Sequence, residues 1–564
     1  METLSTTRNQ SWLIWFFRGL LLLGFFILTA RLFELQIIKG SYFRQLAEGN
    51  RVRKIPIVAP RGRIIARGGE TLVGNKKVKK KIVLGKDGYE KQNITDDINE
   101  EDVFSEWQRN YEFGERLAHV TGYLGEVTKE ELGKVRVECP QKGTRKLGEL
   151  IGKSGLEKEY DCLLAGVDGE ELIEVDAQGK KVRILGRKDA VAGADLKTTI
   201  DLKLQEKVFE IFNQAQIPEG KRGVVVVSDI KGEILAFYSS PSYDPNAFIS
   251  KERSYLVESY FQNKDLPLFN RVISGKYHPG SIFKPIVAIA ALEEGKINKD
   301  FTYEDKGVIF IDTAYGKFSF SNWYFNQYGR TEGLIRLPRA IARSTDTFFY
   351  NLGEMVGVEK LVFWSEKFGL DKRTGIDIPG EVGGLIPSPA WKSKTKKERW
   401  FLGNTYHMSI GQGDIALTPI GINAAISSIA SGGKLCTPHL FAGELQSKTF
   451  RSSISNPRCK ELGISMENIN LVKEGMRQAC SPGGTGFTFF DFKEKMGIDV
   501  ACKTGTAEVE DGKNPHAWFT VFAPVDNPEI VATILVENGG EGSKVAGPIA
   551  RKIFDYWFGR GLDN

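Results

Sequence analysis

From Trp12 to Ala30 the chain reads WLIWFFRGLLLLGFFILTA, with Arg18 its one charged residue. That is close to the roughly 20 residues a helix needs to cross a bilayer. The run is long for the core of a secretory signal and no small-x-small site precedes Arg31, so the pattern predicts a single uncleaved anchor with residues 1–40 as tail and span. Arg8 and Arg18 before the span are matched by Arg31, Lys39 and Arg44 after it, and charge leaves the orientation open. Residues 41–195 read as an extended module. VAPRGRIIARGGETL (58–72) is a loop leading into a strand, 75–101 is charged and solvated, AHVTGYLGEV (118–127) is short strand material, and LIGKSGLEKEYDCLLAG (150–166) is a capped helix leaving a glycine turn.

A different regime occupies 196–564. DLKTTIDLKLQEKVFEIF (195–212) predicts a strand running into an amphipathic helix, and 222–246 predicts two strands about a glycine turn. SIFKPIVAIAALEEG, from Ser281, predicts a helix with Ile286, Ile289, Ala290 and Leu292 on its apolar face and Gly295 as its stop. Residues 497–509 and 516–538 predict three further strands, followed by the helix AGPIARKIFDYWF. A helical middle between the two halves of an antiparallel sheet gives an α+β class.

Composition changes this picture little: 41% hydrophobic and 26% charged residues are ordinary for a globular chain. The net charge of +6 is not gathered into a basic stripe with interleaved aromatics, so nucleic acid is not an expected partner. The six cysteines (139, 162, 436, 459, 480 and 502) and five histidines show no close ligand spacing, so neither a metal nor another cofactor is expected. Disulfides remain open, and the sequence does not pair them.

Candidate chemistry starts at KYHPGSIFKP (276–285). Residues three apart share a helix face, which puts the Lys284 ammonium beside the Ser281 hydroxyl at a helix start. A lysine in apolar company has a lowered pKa and can take a proton from serine, and the helix start offers free N–H groups to an oxyanion. Ser-x-x-Lys also occurs at Ser228, Ser393 and Ser431, where it lies after a strand, in a basic loop and in a glycine turn. Two more polar groups follow in order: Ser344 and Asp346 in ARSTDTFFYNLG, and Lys503, Thr504, Gly505 and Thr506 on a strand. Alternation places Lys503 and Gly505 on one strand face and Thr504 and Thr506 on the other, with Gly505 clearing space for a close approach. Singly these residues read as a helix cap, a first-turn charge and an edge-strand lysine. As an ordered set they read as a site.

SIFK, STD and KTGT in this order resemble the active-site-serine D,D-transpeptidases among the penicillin-binding proteins. PRGRI, IGKSGLEKEYDCLLAG, TTIDLKLQ, GEILAFYSSPSYDPN, SIGQGDIALTP and HAWFTVFAP are similar to class B members along nearly the whole chain. Ser-x-Asp followed by TFFY most resembles the cell-elongation type, penicillin-binding protein 2; division-type relatives usually carry Ser-x-Asn. The resemblance implies a pedestal over 41–195 with a short head, a transpeptidase domain over 196–564 facing outward from the inner membrane, and peptidoglycan stem peptides as substrates. It implies Ser281 as nucleophile, Lys284 as base, and Ser344, Asp346 and Lys503 as the polar wall. Thr504, Gly505 and Thr506 would bind substrate, Thr504 and Thr506 through its carboxylate, with backbone N–H groups of Ser281 and Thr506 as oxyanion donors. It further implies β-lactams as covalent inhibitors, and a SEDS-type glycosyltransferase and a rod-complex scaffold as membrane partners. Ala66 and Gly68 replace polar residues of the family pattern, and Cys502 stands where a small residue is usual. The rival readings are a division-type transpeptidase, a membrane-anchored β-lactamase or β-lactam sensor, and a catalytically idle scaffold.

Overall fold

The computed structural model describes residues 11–85, 88–94, 103–136, 139–176, 181–218, 220–313, 316–443, 459–509 and 512–560. The chain packs as two compact units, one of residues 1–60, 78–107 and 166–192 and the other of 61–77, 108–165 and 193–564. The 41–195 stretch is therefore divided between them.

The first unit begins with helix α1 (Ser11–Phe33). Through the following π turn it forms the one helix among the described residues that is long and apolar enough to cross a membrane, Trp12–Ile38. Strands Val52–Ile57, Gly169–Val175 and Lys181–Lys188 form an antiparallel three-stranded sheet. The lysine-rich stretch expected to be only solvated is a strand, Thr71–Gly85, whose outer half pairs with Gly88–Ile94. Its polarity marks exposed side chains, whereas the ladder is made by backbone groups that side-chain polarity does not report. Residues 95–102 of that stretch lie outside the described residues.

The second unit carries the larger core. Its early part departs from expectation in one place: Ala118–Thr121 is a helical turn, and only Leu124–Glu126 is strand, paired with Leu150–Gly152. The helix expected over 150–166 is a pair of short ones, Gly155–Glu159 and Asp161–Leu164. Asp201 caps helix α2 (Leu202–Gln214) by accepting from the Leu204 N–H at 2.9 Å. Strands β1 (Gly223–Ser228) and β2 (Ile234–Ser240) follow. The helical middle includes α3 (Lys284–Glu293), α4 (Leu337–Arg343), α5 (Asp346–Val356), α6 (Pro419–Ala430) and α7 (Met466–Ala479). Strands β3 (Ala501–Ala507), β4 (His516–Ala523) and β5 (Ile530–Val536) and helix α8 (Ala546–Gly559) complete the unit.

The five strands form one antiparallel sheet in the order β2–β1–β5–β4–β3. GVVVVS in β1 and IVATILV in β5 are buried at every position because both faces of the sheet are covered. Val224, Val226, Trp518 and Leu535 belong to the core that includes α3, α5 and α6, while Val225, Val227, Phe519 and Ile534 pack with α2 and α8. Helix α3 is buried from Lys284 to Leu292, all round and not on one face only. Ser393 lies on an exposed helix, Pro389–Lys396, and not in a loop; Ser388 caps it from the Trp391 N–H, with Pro389 at its first position.

A buried ionic cluster joins PRGRI to the 155–164 helices. Arg61 Nη2 lies 2.9 Å from both Glu157 and Asp161, and Arg109 Nε lies 2.6 Å from Glu157, whose side chain is fully buried. Removing one partner strands the others in a dry interior. Glu157→Gln is expected to lower the urea midpoint by an amount equal to about 3 kcal/mol. A midpoint equal to the parent's would show that the cluster contributes nothing net.

Candidate active site

Pro279-Gly280 turns the chain into a short 3-10 segment, Gly280–Phe283, so Ser281 precedes the α-helix that Lys284 opens. Gly280 has φ +55° and donates its N–H to Gly411 O at 2.8 Å. A side chain at Gly411 would put its Cβ 2.2 Å from Gly280 O, and one at Gly280 would meet Thr506 O at 3.0 Å. The turn that presents the half-buried Ser281 is thus wedged between two backbones and accepts glycine only.

Ser344 is placed by a different device. It does not start a helix; it ends α4 in the left-handed conformation, φ +56° and ψ +40°, and α5 starts at Asp346. A non-glycine residue there carries roughly 1–3 kcal/mol of strain and persists only if neighbours hold it. Trp323 does so, its Nε1 donating to Arg343 O at 3.0 Å and its backbone N–H to Asp346 Oδ2 at 3.1 Å. The Thr345 N–H donates to Ala340 O at 3.0 Å.

Lys284 and Lys503 are both fully buried, and both reach the Ser344 hydroxyl. Lys284 Nζ donates to Asp346 Oδ1 at 2.7 Å, Ser344 O at 2.8 Å and Ser344 Oγ at 3.1 Å. An ammonium has three protons, and these bonds use them all within the Ser344–Asp346 turn, without Ser281. Lys503 Nζ lies 2.9 Å from Ser344 Oγ and 3.0 Å from Thr504 O. Burial lowers the Lys284 pKa, opposed by Asp346. Burial, with the Lys284 charge added, holds Lys503 well below its ordinary value, again opposed by Asp346. Two buried ammonium groups facing one carboxylate favour loss of one proton, and the hydroxyl between them is a path for it.

On β3 the side chains alternate. Lys503 points to Ser344, whereas Thr504 Oγ1 donates to Thr485 Oγ1 at 2.9 Å. A Cβ on Gly505 would come within 3.0 Å of Ile282 and Trp518, which is why β3 can close on the Ser281 turn. Thr506 is exposed, with its carbonyl accepting from Gln412 Nε2 at 3.3 Å. The other Ser-x-x-Lys serines stand elsewhere: the Ser228 hydroxyl is taken by Asn423 at 2.8 Å, Ser393 is on the exposed helix, and Ser431 follows α6.

Trp323, Gly411 and Thr485 were not singled out from the sequence. The Gly-Gly-Thr-Gly run at 483–486 was a signal for Thr485; nothing in the sequence marks Trp323. The cysteines pair as Cys139–Cys162, Cys436–Cys459 and Cys480–Cys502, so the residue before Lys503 is a covalent tie to the end of α7.

The depressed Lys503 pKa has a consequence for stability. Below its ordinary value of 10.5 the unfolded chain holds the Lys503 proton more tightly than the folded one, so this group adds stability as pH rises toward 10.5. The parent is expected to gain on Lys503→Met as pH is raised through the alkaline range, measured by urea unfolding of both. A difference that does not change with pH would contradict the depressed value.

The family model for the penicillin binding protein transpeptidase domain matches residues 223–555, and that for the penicillin-binding protein dimerisation domain matches 92–198. The peptidoglycan D,D-transpeptidase MrdA of Haemophilus influenzae is 30% identical over 97% of this chain and 91% of its own length. That of Acinetobacter baumannii is 31% identical over 96% of this chain and 87% of its own length. Among solved structures, PBP2 of Helicobacter pylori in complex with MreC superposes with a TM-score of 0.73, 26% identity and coverage of 91% of this chain and 99% of that one. A structure of a peptidoglycan synthase complex coordinating polymerization and crosslinking superposes at 0.74, 26% identity and 99% of both chains. With a dimerisation segment ahead of a transpeptidase body whose Ser281 turn, Ser344–Asp346 turn and KTGT strand converge, the chain belongs to the penicillin-binding protein family.

Proposed function

We propose that this chain is a peptidoglycan D,D-transpeptidase of cell elongation, crosslinking stem peptides through an acyl-enzyme on Ser281. The observation that carries the reading is the pair of buried lysines meeting at the Ser344 hydroxyl beside the Ser281 turn. Ser281 Oγ attacks the penultimate D-Ala carbonyl while Lys284, its pKa lowered by burial, takes the proton. Backbone N–H groups of Ser281 and Thr506 hold the oxyanion, each such donor worth about 3 kcal/mol. The proton passes through Ser344 and Lys503 to the departing D-Ala amine, and Asp346 balances the charge. An amine of a second stem peptide then takes the acyl group; water in its place gives the carboxypeptidase reaction. Thr504 and Thr506 bind the terminal carboxylate, with Gly505 letting the strand close on the Ser281 turn.

In this reading 1–40 is tail and anchor, 41–195 is the pedestal with its short head, and 196–564 is the transpeptidase domain, outward of the inner membrane. Three disulfides suit an oxidising compartment. The relatives described above suggest a rod-complex scaffold of the MreC kind and a SEDS-type glycosyltransferase as partners, and β-lactams as covalent inhibitors.

Labelling with a fluorescent penicillin tests the assignment. Ser281→Ala is expected to lose all label while remaining folded, and Lys284→Arg, which keeps the charge but not a base that can lose its proton, is expected to lose acylation by orders of magnitude. Label that survives in Ser281→Ala, or near-parent acylation in Lys284→Arg, would contradict these roles. Intact-mass measurement after removal of free drug separates a transpeptidase from a β-lactamase: the penicilloyl adduct is expected to persist for many minutes. Its disappearance within seconds with steady drug turnover would make the chain a lactamase.

A further inference from the structure

Between α7 and β3 the chain forms a small loop, Ser481-Pro482-Gly483-Gly484-Thr485-Gly486, to which the reaction as proposed gives no task. It is held with unusual thoroughness for a glycine-rich segment. The Cys480–Cys502 disulfide ties its first end to β3 at the residue before Lys503. The Gly486 N–H donates to Ala479 O at 2.8 Å, and a Cβ on Gly486 would lie 2.5 Å from Cys502 Sγ. Gly483 O accepts from Arg339 and Arg343 on α4, at 3.3 and 3.4 Å. Thr485 sits at the centre: its N–H donates to Ala342 O at 3.2 Å, two residues before Ser344, and its Oγ1 accepts from Thr504 Oγ1 at 2.9 Å.

The loop thus spans the two elements that carry the polar wall, α4 ending at Ser344 and β3 bearing Lys503 and Thr504. Thr485 is only half-buried, and its hydroxyl still has a proton to give after accepting the bond from Thr504. The surroundings suit an anion. Lys503 adjoins Thr504, and Arg339 and Arg343 reach the same loop, although both also pair with Glu332, at 2.9 and 2.5 Å. A hydroxyl with a proton free to give, held beside the threonine that binds the donor's terminal carboxylate, is placed to contact that carboxylate too.

We propose that Thr485 is a carboxylate-binding residue, a further hydroxyl donor to the terminal carboxylate of the donor stem peptide and to the carboxylate of a penicillin. The Cys480–Cys502 disulfide is the positioning element that keeps it opposite Thr504. This rests on the transpeptidase reading and names how that site recognises the anionic end of its substrate.

The test compares acylation of the full chain by benzylpenicillin with acylation by its methyl ester, which lacks the anion. Thr485→Val preserves shape and removes the donor. It is expected to lower the preference for acid over ester about tenfold, the size of one hydrogen bond to a charged group, while Thr485→Ser retains the preference. The double variant Cys480→Ser/Cys502→Ser is expected to lower it as Thr485→Val does. Equal losses with acid and ester, or no loss with either, would overturn the role of Thr485. Retention of the preference in the double cysteine variant would overturn the role given to the disulfide. Absence of acylation in the parent by either compound would instead remove the transpeptidase reading, and this inference with it.

Discussion

Two lysine side chains are taken wholly out of water on either side of one serine hydroxyl, and a single carboxylate, Asp346, faces them. An ammonium in an apolar interior is costly, and loss of its proton is the cheaper course. The packed core is therefore part of the chemistry. Trp518, Ile282 and Phe349 are fully or almost fully buried around this site, and Lys284 Nζ lies 5.3 Å above the Phe349 ring. The sheet and helices keep the lysines dry, and dryness makes them able to accept a proton near neutral pH.

Bringing three chain segments together at that point requires backbone shapes that ordinary sequences avoid. Gly280, Gly411 and Gly505 let backbones approach where any side chain would collide. Ser344 takes a left-handed conformation without being glycine, because its hydroxyl is needed and the conformation aims it between the lysines. Trp323 supplies the compensation, with one donor on each side of the strained residue.

What could be read from the sequence follows from which forces side chains report. GVVVVS, IVATILV and the helix after Ser281 announce buried elements, since burial on all sides leaves an unbroken apolar run. The Pro279-Gly280 turn before Ser281 and the order Ser281, Ser344, Lys503 point to the site. The partners of the lysines were less legible: Lys284 bonds within the Ser344–Asp346 turn and not to the serine three residues earlier. Ser344 ends a helix where its neighbours suggested a start, because tertiary contacts from Trp323 decide it. The lysine-rich strand Thr71–Gly85 and the helix around Ser393 were hidden by their polarity. Cysteine pairing was open because separations of 22 and 23 residues say nothing of where the sulfurs meet.

The central claim is that one carboxylate sets how readily this pair of lysines gives up a proton. Asp346 raises the pKa of both Lys284 and Lys503 against the lowering by burial. Exchanging it for the asparagine usual in division-type relatives removes that support, so both values fall and a neutral lysine becomes available in more acidic solution. The direct measurement is the pH profile of penicillin acylation for the parent and for Asp346→Asn. The acid limb is expected to move to lower pH in the variant; a limb that stays in place or moves upward would contradict the account.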